Sequence, residues 1–354
     1  MSAARSPPAS GRDTAVPEPG EVTEVAPGLL WVRLPLPFAL DHINVWLLAD
    51  GPGWTLVDTG VSSDTTRAAW ERLLREVLGG KPLTRVLCTH AHPDHMGLAG
   101  WLAARDGAEL WCTQAEWLHA QFFTRLDDGE ARAAAKAFWE RAGVPAAELP
   151  ALLGQANAYR RLVSDVPGSH RRLRDGAELD VGGVTWRVVV GHGHSPEHAC
   201  LHAPALGILI GGDQVLPVIT PNVSVWPSEP DADPVGDFLA TLTRLRALPD
   251  DLLVLPSHRR LYRGLHRRLD ELAAHHAARL DEVRSACAGP RTAYEVMRAM
   301  FPRALDPHQT TFAIGEGLAH LNRLVEAGRV RRERRAGEPD RFVRAAAQPG
   351  SRSA

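Results

Sequence analysis

Residues 89–97 read Thr-His-Ala-His-Pro-Asp-His-Met-Gly. They follow the short apolar run Arg85-Val86-Leu87-Cys88 and precede a helix-like segment from Leu98 to Arg105, which places them on a strand-to-helix turn. Three imidazoles and a carboxylate within six residues cannot all face one ion at a tetrahedral angle, but they can be divided between two adjacent ions. A chain organised around this turn is expected to bind two metals.

The flanking sequence predicts alternating α and β elements, hence an α/β sandwich. Val25–Leu34, Ile43–Leu48 and Trp54–Val57 read as strands, the last two joined by the turn Asp50-Gly51-Pro52-Gly53. Asp64–Leu78 reads as an amphipathic helix closed by Gly79-Gly80, and Ala108–Cys112 as a further strand. From about 114 to 166 helix formers prevail, giving a helical insertion that carries Trp117, Phe122, Phe123, Phe138, Trp139 and Tyr159. A two-layer sandwich has its own core, so these aromatics are expected to roof the metal cleft. Leu179–Val181 and Val184–Val190 then form strands around Gly182-Gly183, and two apolar runs end in chemistry: Leu206–Asp213 and Leu252–His258.

The His90-x-His92-x-Asp94-His95 pattern resembles the signature of the metallo-β-lactamase superfamily. Val57-Asp58-Thr59-Gly60 resembles its second element, which implies that Asp58 hydrogen-bonds near the ligands; the plain alternative is an Asp that caps the helix starting near Ser62 or Ser63. Gly193-His194-Ser195-Pro196 resembles the element of the third ligand and selects His194, leaving His192 and His198 as structural histidines. Gly212-Asp213 matches the bridging aspartate. Pro256-Ser257-His258-Arg259 departs from the usual Pro-Gly-His-Gly at both glycines.

Carried over, the resemblance implies that His90, His92 and His194 hold one metal, that Asp94, His95 and His258 hold the other, and that Asp213 bridges them. Asp94 and Asp213 would be the catalytic acids, with Asp94 orienting a metal-activated hydroxide or moving a proton. The ions would be zinc, though iron or manganese suits the same imidazole and carboxylate donors. The implied fold is an αββα sandwich. A ligand set without thiolate is similar to that of hydroxyacylglutathione hydrolases, lactonases and thioesterases, and it is shared by nucleases.

From Leu265 the character changes. Helices over 264–286, 292–300 and 309–327 precede a hairpin over 329–343 turning at Gly337, a set that resembles the winged-helix unit appended to some hydrolases of this fold. The expected organisation is a tail at 1–22, a catalytic domain at 23–264, a winged-helix-like domain at 265–344 and a tail at 345–354. A net charge of −2 over 354 residues gives no general attraction to nucleic acid or anionic membrane. The leading reading is hydrolysis of an ester-like bond in a small molecule, a thioester or lactone. Arg329, Arg331, Arg332, Arg334 and Arg335 in the wing keep open a metal-dependent endoribonuclease or a ligand-sensing DNA-binding module, and the wing equally suits a homodimer. Four scattered cysteines and no apolar leader point to the cytosol.

Overall fold

The structure, a computed structural model, describes residues 14–346. The strand His42–Asp50 (β3) shows why its sheets form. Ile43, Val45 and Leu47 are buried in one apolar cluster, Trp46 and Leu48 in another. Side chains alternate between the faces of a strand, so a strand apolar at successive positions belongs between two layers.

β3 lies in a seven-stranded sheet ordered Val22–Ala26 (β1), Leu29–Pro35 (β2), β3, Gly53–Val57 (β4), Leu83–Leu87 (β5), Glu109–Cys112 (β6) and Arg171–Arg172 (β7). β1 to β4 pair antiparallel and β4 to β7 parallel. The parallel steps require crossovers, supplied by Asp64–Arg72 (α1) and by Pro93–Met96 (α2) with Ala99–Asp106 (α3). The second sheet runs Leu253–Pro256 (β12), Ile208–Gly212 (β11), His198–Ala203 (β10), Val184–Gly191 (β9) and Glu178–Val181 (β8). In it β11 and β12 are parallel and are linked through Pro234–Leu245 (α8). Trp31, Trp46 and Leu87 of the larger sheet pack with Trp186, Leu201, Ile210 and Leu255 of the smaller, while the other face of the larger sheet packs under α1 and α3 through Trp70 and Leu102. This is the α/β sandwich that the alternating elements predict.

The expected insertion folds as Gln114–Arg125 (α4), Asp128–Ala142 (α5), Leu149–Leu153 (α6) and Ala158–Leu162 (α7). The chain divides into two compact units. One holds both sheets and, from the insertion, α4 and α7; the other comprises 127–156, 222–242 and 270 onward. The insertion is thus shared, and α5 and α6 group with C-terminal elements, a division that differs from a single boundary at 264. Within that second unit Ala293–Met300 (α10), Pro307–Glu326 (α11) and the hairpin Val330–Glu333 (β13) and Arg341–Arg344 (β14) follow in the expected order after Leu265–Ala286 (α9). Thr292 and Glu295 form a reciprocal cap at the start of α10.

Two further expectations are corrected. Residues 14–22 are not a loose tail: Val16 packs on the cluster between the sheets, Gly20 N–H donates to Arg33 O at 2.9 Å, and Val22 opens β1. The helix beginning at Asp64 ends as an α-helix at Arg72 and continues as a π-turn over Leu73–Val77. The remaining tail residues, 1–13 and 347–354, lie outside those described.

Candidate metal centre

β4 delivers Asp58, whose backbone turns into the left-handed region at φ 64° and aims its carboxylate at the turn after β5. There it accepts the Thr89 N–H at 2.8 Å, the Thr89 hydroxyl at 2.9 Å and the His95 Nδ1–H at 2.8 Å. Thr59 adds a second tie, its hydroxyl donating to His95 O at 2.7 Å and accepting the Leu98 N–H at 3.0 Å. The cap of α1 is Ser63, which accepts the Thr66 N–H at 3.2 Å; Asp58 therefore serves His95, not the helix. Gly97 is required by this closeness, since a Cβ there would lie 2.3 Å from Pro93 O and 2.4 Å from Gly60 O.

All seven candidate ligands converge. Ligand atoms of His90, His92 and His194 lie within 4.8 Å of one another, as do those of His90, His95 and Asp213, and those of Asp94, His95 and His258. His95 Nε2 lies 3.6 Å from Asp94 and 3.5 Å from Asp213; His258 Nε2 lies 3.4 Å from each of the same two carboxylates. His192 is not in these groups and bonds Pro196 O at 2.6 Å, while the buried ring of His198 accepts the Asp213 N–H at 3.1 Å. His198 thus orients Asp213, and neither histidine belongs to a donor group among the described residues.

The other ring nitrogens explain which atom each ligand presents. The Thr89 hydroxyl gives its hydrogen to Asp58 and so accepts the Nδ1–H of His90 at 3.1 Å; Asp58 takes that of His95, and His42 O that of His258 at 2.9 Å. With a metal in place of a second proton, each would turn an Nε2 lone pair to the cluster, the arrangement by which protein imidazoles are oriented on a metal. His90 Nε2 and His194 Nε2 lie 3.2 Å apart, close enough for one ring to donate to the other or for both to turn to a shared cation.

The residues present fit divalent ions on these grounds. Buried His95 Nε2 and Asp213 Oδ1 have no hydrogen-bond partner among the described residues, although a buried polar atom is costly without one. Burial, reinforced by neighbouring imidazoles, holds His90 and His92 well below the ordinary histidine range, so they stay neutral donors. Burial opposes a proton on His258 as well, but Asp213 and Asp94 outweigh it and push the ring up to about 10. The cluster is short of positive charge at its carboxylate end, which cations relieve.

The loop after β12 tolerates the loss of both expected glycines for local reasons. Arg259 sits at φ 73°, where glycine is the ordinary occupant. Asn44, buried in β3, holds that strained turn by donating to Pro256 O and Arg259 O, both at 2.9 Å, and the Arg259 N–H reaches His42 Nε2 at 3.0 Å. Neither His42 nor Asn44 carries a signal in the sequence, because their partners lie more than 200 residues away.

A profile described as the Metallo-beta-lactamase superfamily matches residues 39–258. The chain belongs to that superfamily. A second profile, the Metallo-beta-lactamase-like C-terminal domain, matches residues 280–345. A beta-lactamase domain protein from Burkholderia ambifaria is similar over 96% of this chain and 98% of its own, with 45% identity and a TM-score of 0.87. A metallo-beta-lactamase family protein from Thermus thermophilus is similar over 91% of this chain and all of its own, with 33% identity and a TM-score of 0.77. The probable metallo-hydrolase YqjP of Bacillus subtilis is 26% identical over 83% of this chain and 91% of its own length. With its seven converging donors, the chain is a metallo-hydrolase of the superfamily. No described helix is long and apolar enough to cross a membrane.

Proposed function

We propose that the chain is a dinuclear metal-dependent hydrolase of an ester-like bond in a small molecule, an acyl thioester or a lactone. His90, His92 and His194 would hold one ion, Asp94, His95 and His258 the other, and Asp213 would bridge; zinc, iron and manganese all suit these donors. Bound there, the ions would lower the pKa of water towards about 7 and polarise a scissile carbonyl. The chain's own contribution is orientation and proton handling. Asp94, less enclosed than His95 and His258 beside it, would move a proton to the leaving group.

The observation that carries the substrate class is the apolar surface of α4. Leu118 is 50% exposed and Phe122 54%, one turn apart on the helix that follows β6. On the same helix His119 and Phe123 cluster with Tyr159 of α7, whose hydroxyl bonds Ala91 O at 2.6 Å, between two of the ligands. Exposed apolar side chains on a helix tied to a metal turn suit an acyl chain better than a nucleic acid backbone. Of the six insertion aromatics expected over the cleft, Phe138 and Trp139 fall in the second unit and are buried there, which leaves α4 and α7 to serve the site.

The wing arginines do not favour the nuclease or DNA-binding readings. Arg329 pairs with Asp281, Arg331 with Glu333, Arg332 and Arg334 with Asp231, and Arg335 with Glu338. We keep a homodimer through the winged-helix-like unit as a proposal, with a small molecule as the partner at the metal centre and a reducing compartment for four buried, free cysteines. Turnover of a panel of thioesters, lactones and single-stranded RNA tests the reading. Hydrolysis of an acyl substrate supports it, and cleavage of RNA alone, with the steep salt dependence of phosphate contacts, would overturn it.

A further inference from the structure

Glu116 lies in the first turn of α4 and is fully buried. Its two oxygens accept different backbone donors: Oε2 takes the Ala91 N–H at 2.8 Å and Oε1 the Glu197 N–H at 2.7 Å. Ala91 stands between His90 and His92, and Glu197 follows His194 by three residues. One carboxylate thus joins the two turns that bring together His90, His92 and His194, turns a hundred residues apart in sequence.

The latch is reciprocal. Glu197 Oε2 accepts the Ala115 N–H at 2.9 Å, at the unsatisfied N-terminus of α4, and the Thr113 hydroxyl donates to Glu197 O at 2.8 Å. With Tyr159 on its carbonyl, the residue between two ligands has both backbone groups held by the insertion.

No cationic side chain pairs with Glu116 among the described residues. Burial pushes its carboxyl up, and its hydrogen bonds only partly oppose this. Enclosing a carboxylate without a basic partner is expensive, and a cation held by the three-histidine group it braces would supply compensating charge.

We propose that Glu116 is a positioning residue that fixes the separation of the two turns so that His90, His92 and His194 can share one divalent cation, and whose negative charge favours that cation. The inference rests on the metallohydrolase reading. It assigns α4 a part in metal affinity besides its apolar surface.

The test compares wild type with Glu116→Gln and Glu116→Ala by two measurements: zinc affinity in competition with a chromophoric chelator, and thermal melting in chelator and in zinc. The amide of Glu116→Gln has the size of the carboxylate but turns an N–H₂ towards one of the two donors and removes the charge. We expect zinc affinity to fall about 10- to 100-fold, and melting to fall by less in chelator than in zinc, since the unpaired backbone donor costs both forms and the lost charge costs only the zinc form. The melting gain on adding zinc shrinks accordingly. Should Glu116→Ala fail to fold, the isosteric Gln variant still gives the answer. An equal drop in melting with and without zinc, at unchanged zinc affinity, would reduce Glu116 to a structural residue and overturn the role. A wild-type protein that binds no zinc, iron or manganese would overturn the metallohydrolase reading along with it.

Discussion

Asp58 accepts the Nδ1 proton of His95 at 2.8 Å, so that His95 presents Nε2 to Asp94 and Asp213. The same carboxylate fixes Thr89, which in turn fixes His90. One buried acid therefore sets the tautomer of a residue in each of two ligand groups. Asp58→Asn should lower metal affinity by about 10- to 100-fold and reduce turnover at limiting metal. Asp58→Ala should in addition destabilise the fold, by roughly 1–3 kcal/mol for each buried donor left unsatisfied. Metal competition and denaturant unfolding separate the two effects, and an Asp58→Asn variant with native metal affinity would contradict this role.

Asp213 and His258 meet at 3.4 Å, Asp213 in one donor group and His258 in another. Asp213→Ala and His258→Ala should each abolish turnover and reduce the metal content of purified protein. Asp94→Asn keeps an oxygen donor and should cost activity by more than it costs metal. Elemental analysis beside initial rates checks all three; full activity in any of them would refute its assignment.

Leu118 and Phe122 are already exposed, so replacing both with Ala should leave stability within about 0.5 kcal/mol per site. If an acyl chain lies on them, each lost side chain removes on the order of 1.5 kcal/mol of substrate burial. KM for long acyl substrates should rise at least tenfold while short ones change little. Equal effects on both would leave this face of α4 without a part in specificity.

How much of this was legible in the sequence follows from range. The seven donors could be chosen because each ends a short apolar run and because the superfamily pattern is local: four of them lie within six residues. Glu116, His42 and Asn44 act on partners that no local pattern links to them, and a buried Glu on an amphipathic helix reads in sequence as a solvated charge. Helical periodicity likewise predicts that the insertion has apolar faces but not what they pack on, which is why the division between α4 with α7 and α5 with α6 is not legible there. α8 and β10 carried no expectation: β10 is buried at every position, including two histidines, and lacks the polar alternation that marks a strand. The hairpin at Gly337 and the reciprocal cap at Thr292 depend on turn chemistry alone.

In the second unit His276 and His320 are buried with His276 Nδ1 3.1 Å from His320 Nε2. His320 Nδ1–H donates to Glu316 O at 2.8 Å, so its Nε2 accepts from His276. Burial pushes His276 down to about 3 and His320 to about 4. Unfolded histidine titrates near about 6.5, so on acidification the unfolded chain takes up protons that the folded one refuses. Their contribution to stability is complete above about pH 6.5 and is lost as the pH falls towards 4 and then 3. Hydrogen exchange in α9 and α11 should accelerate between pH 6.5 and 4.5 after correction for intrinsic rates, and less so in His276→Gln. Slower exchange on acidification would contradict the assignment.

The proposed hydrolysis requires metal held by these seven side chains. Chelator-treated protein should lose hydrolysis of its acyl substrate and regain it on reloading, with about two ions bound per chain and fewer in His258→Ala. Undiminished turnover by protein shown to be free of zinc, iron and manganese would contradict the central claim.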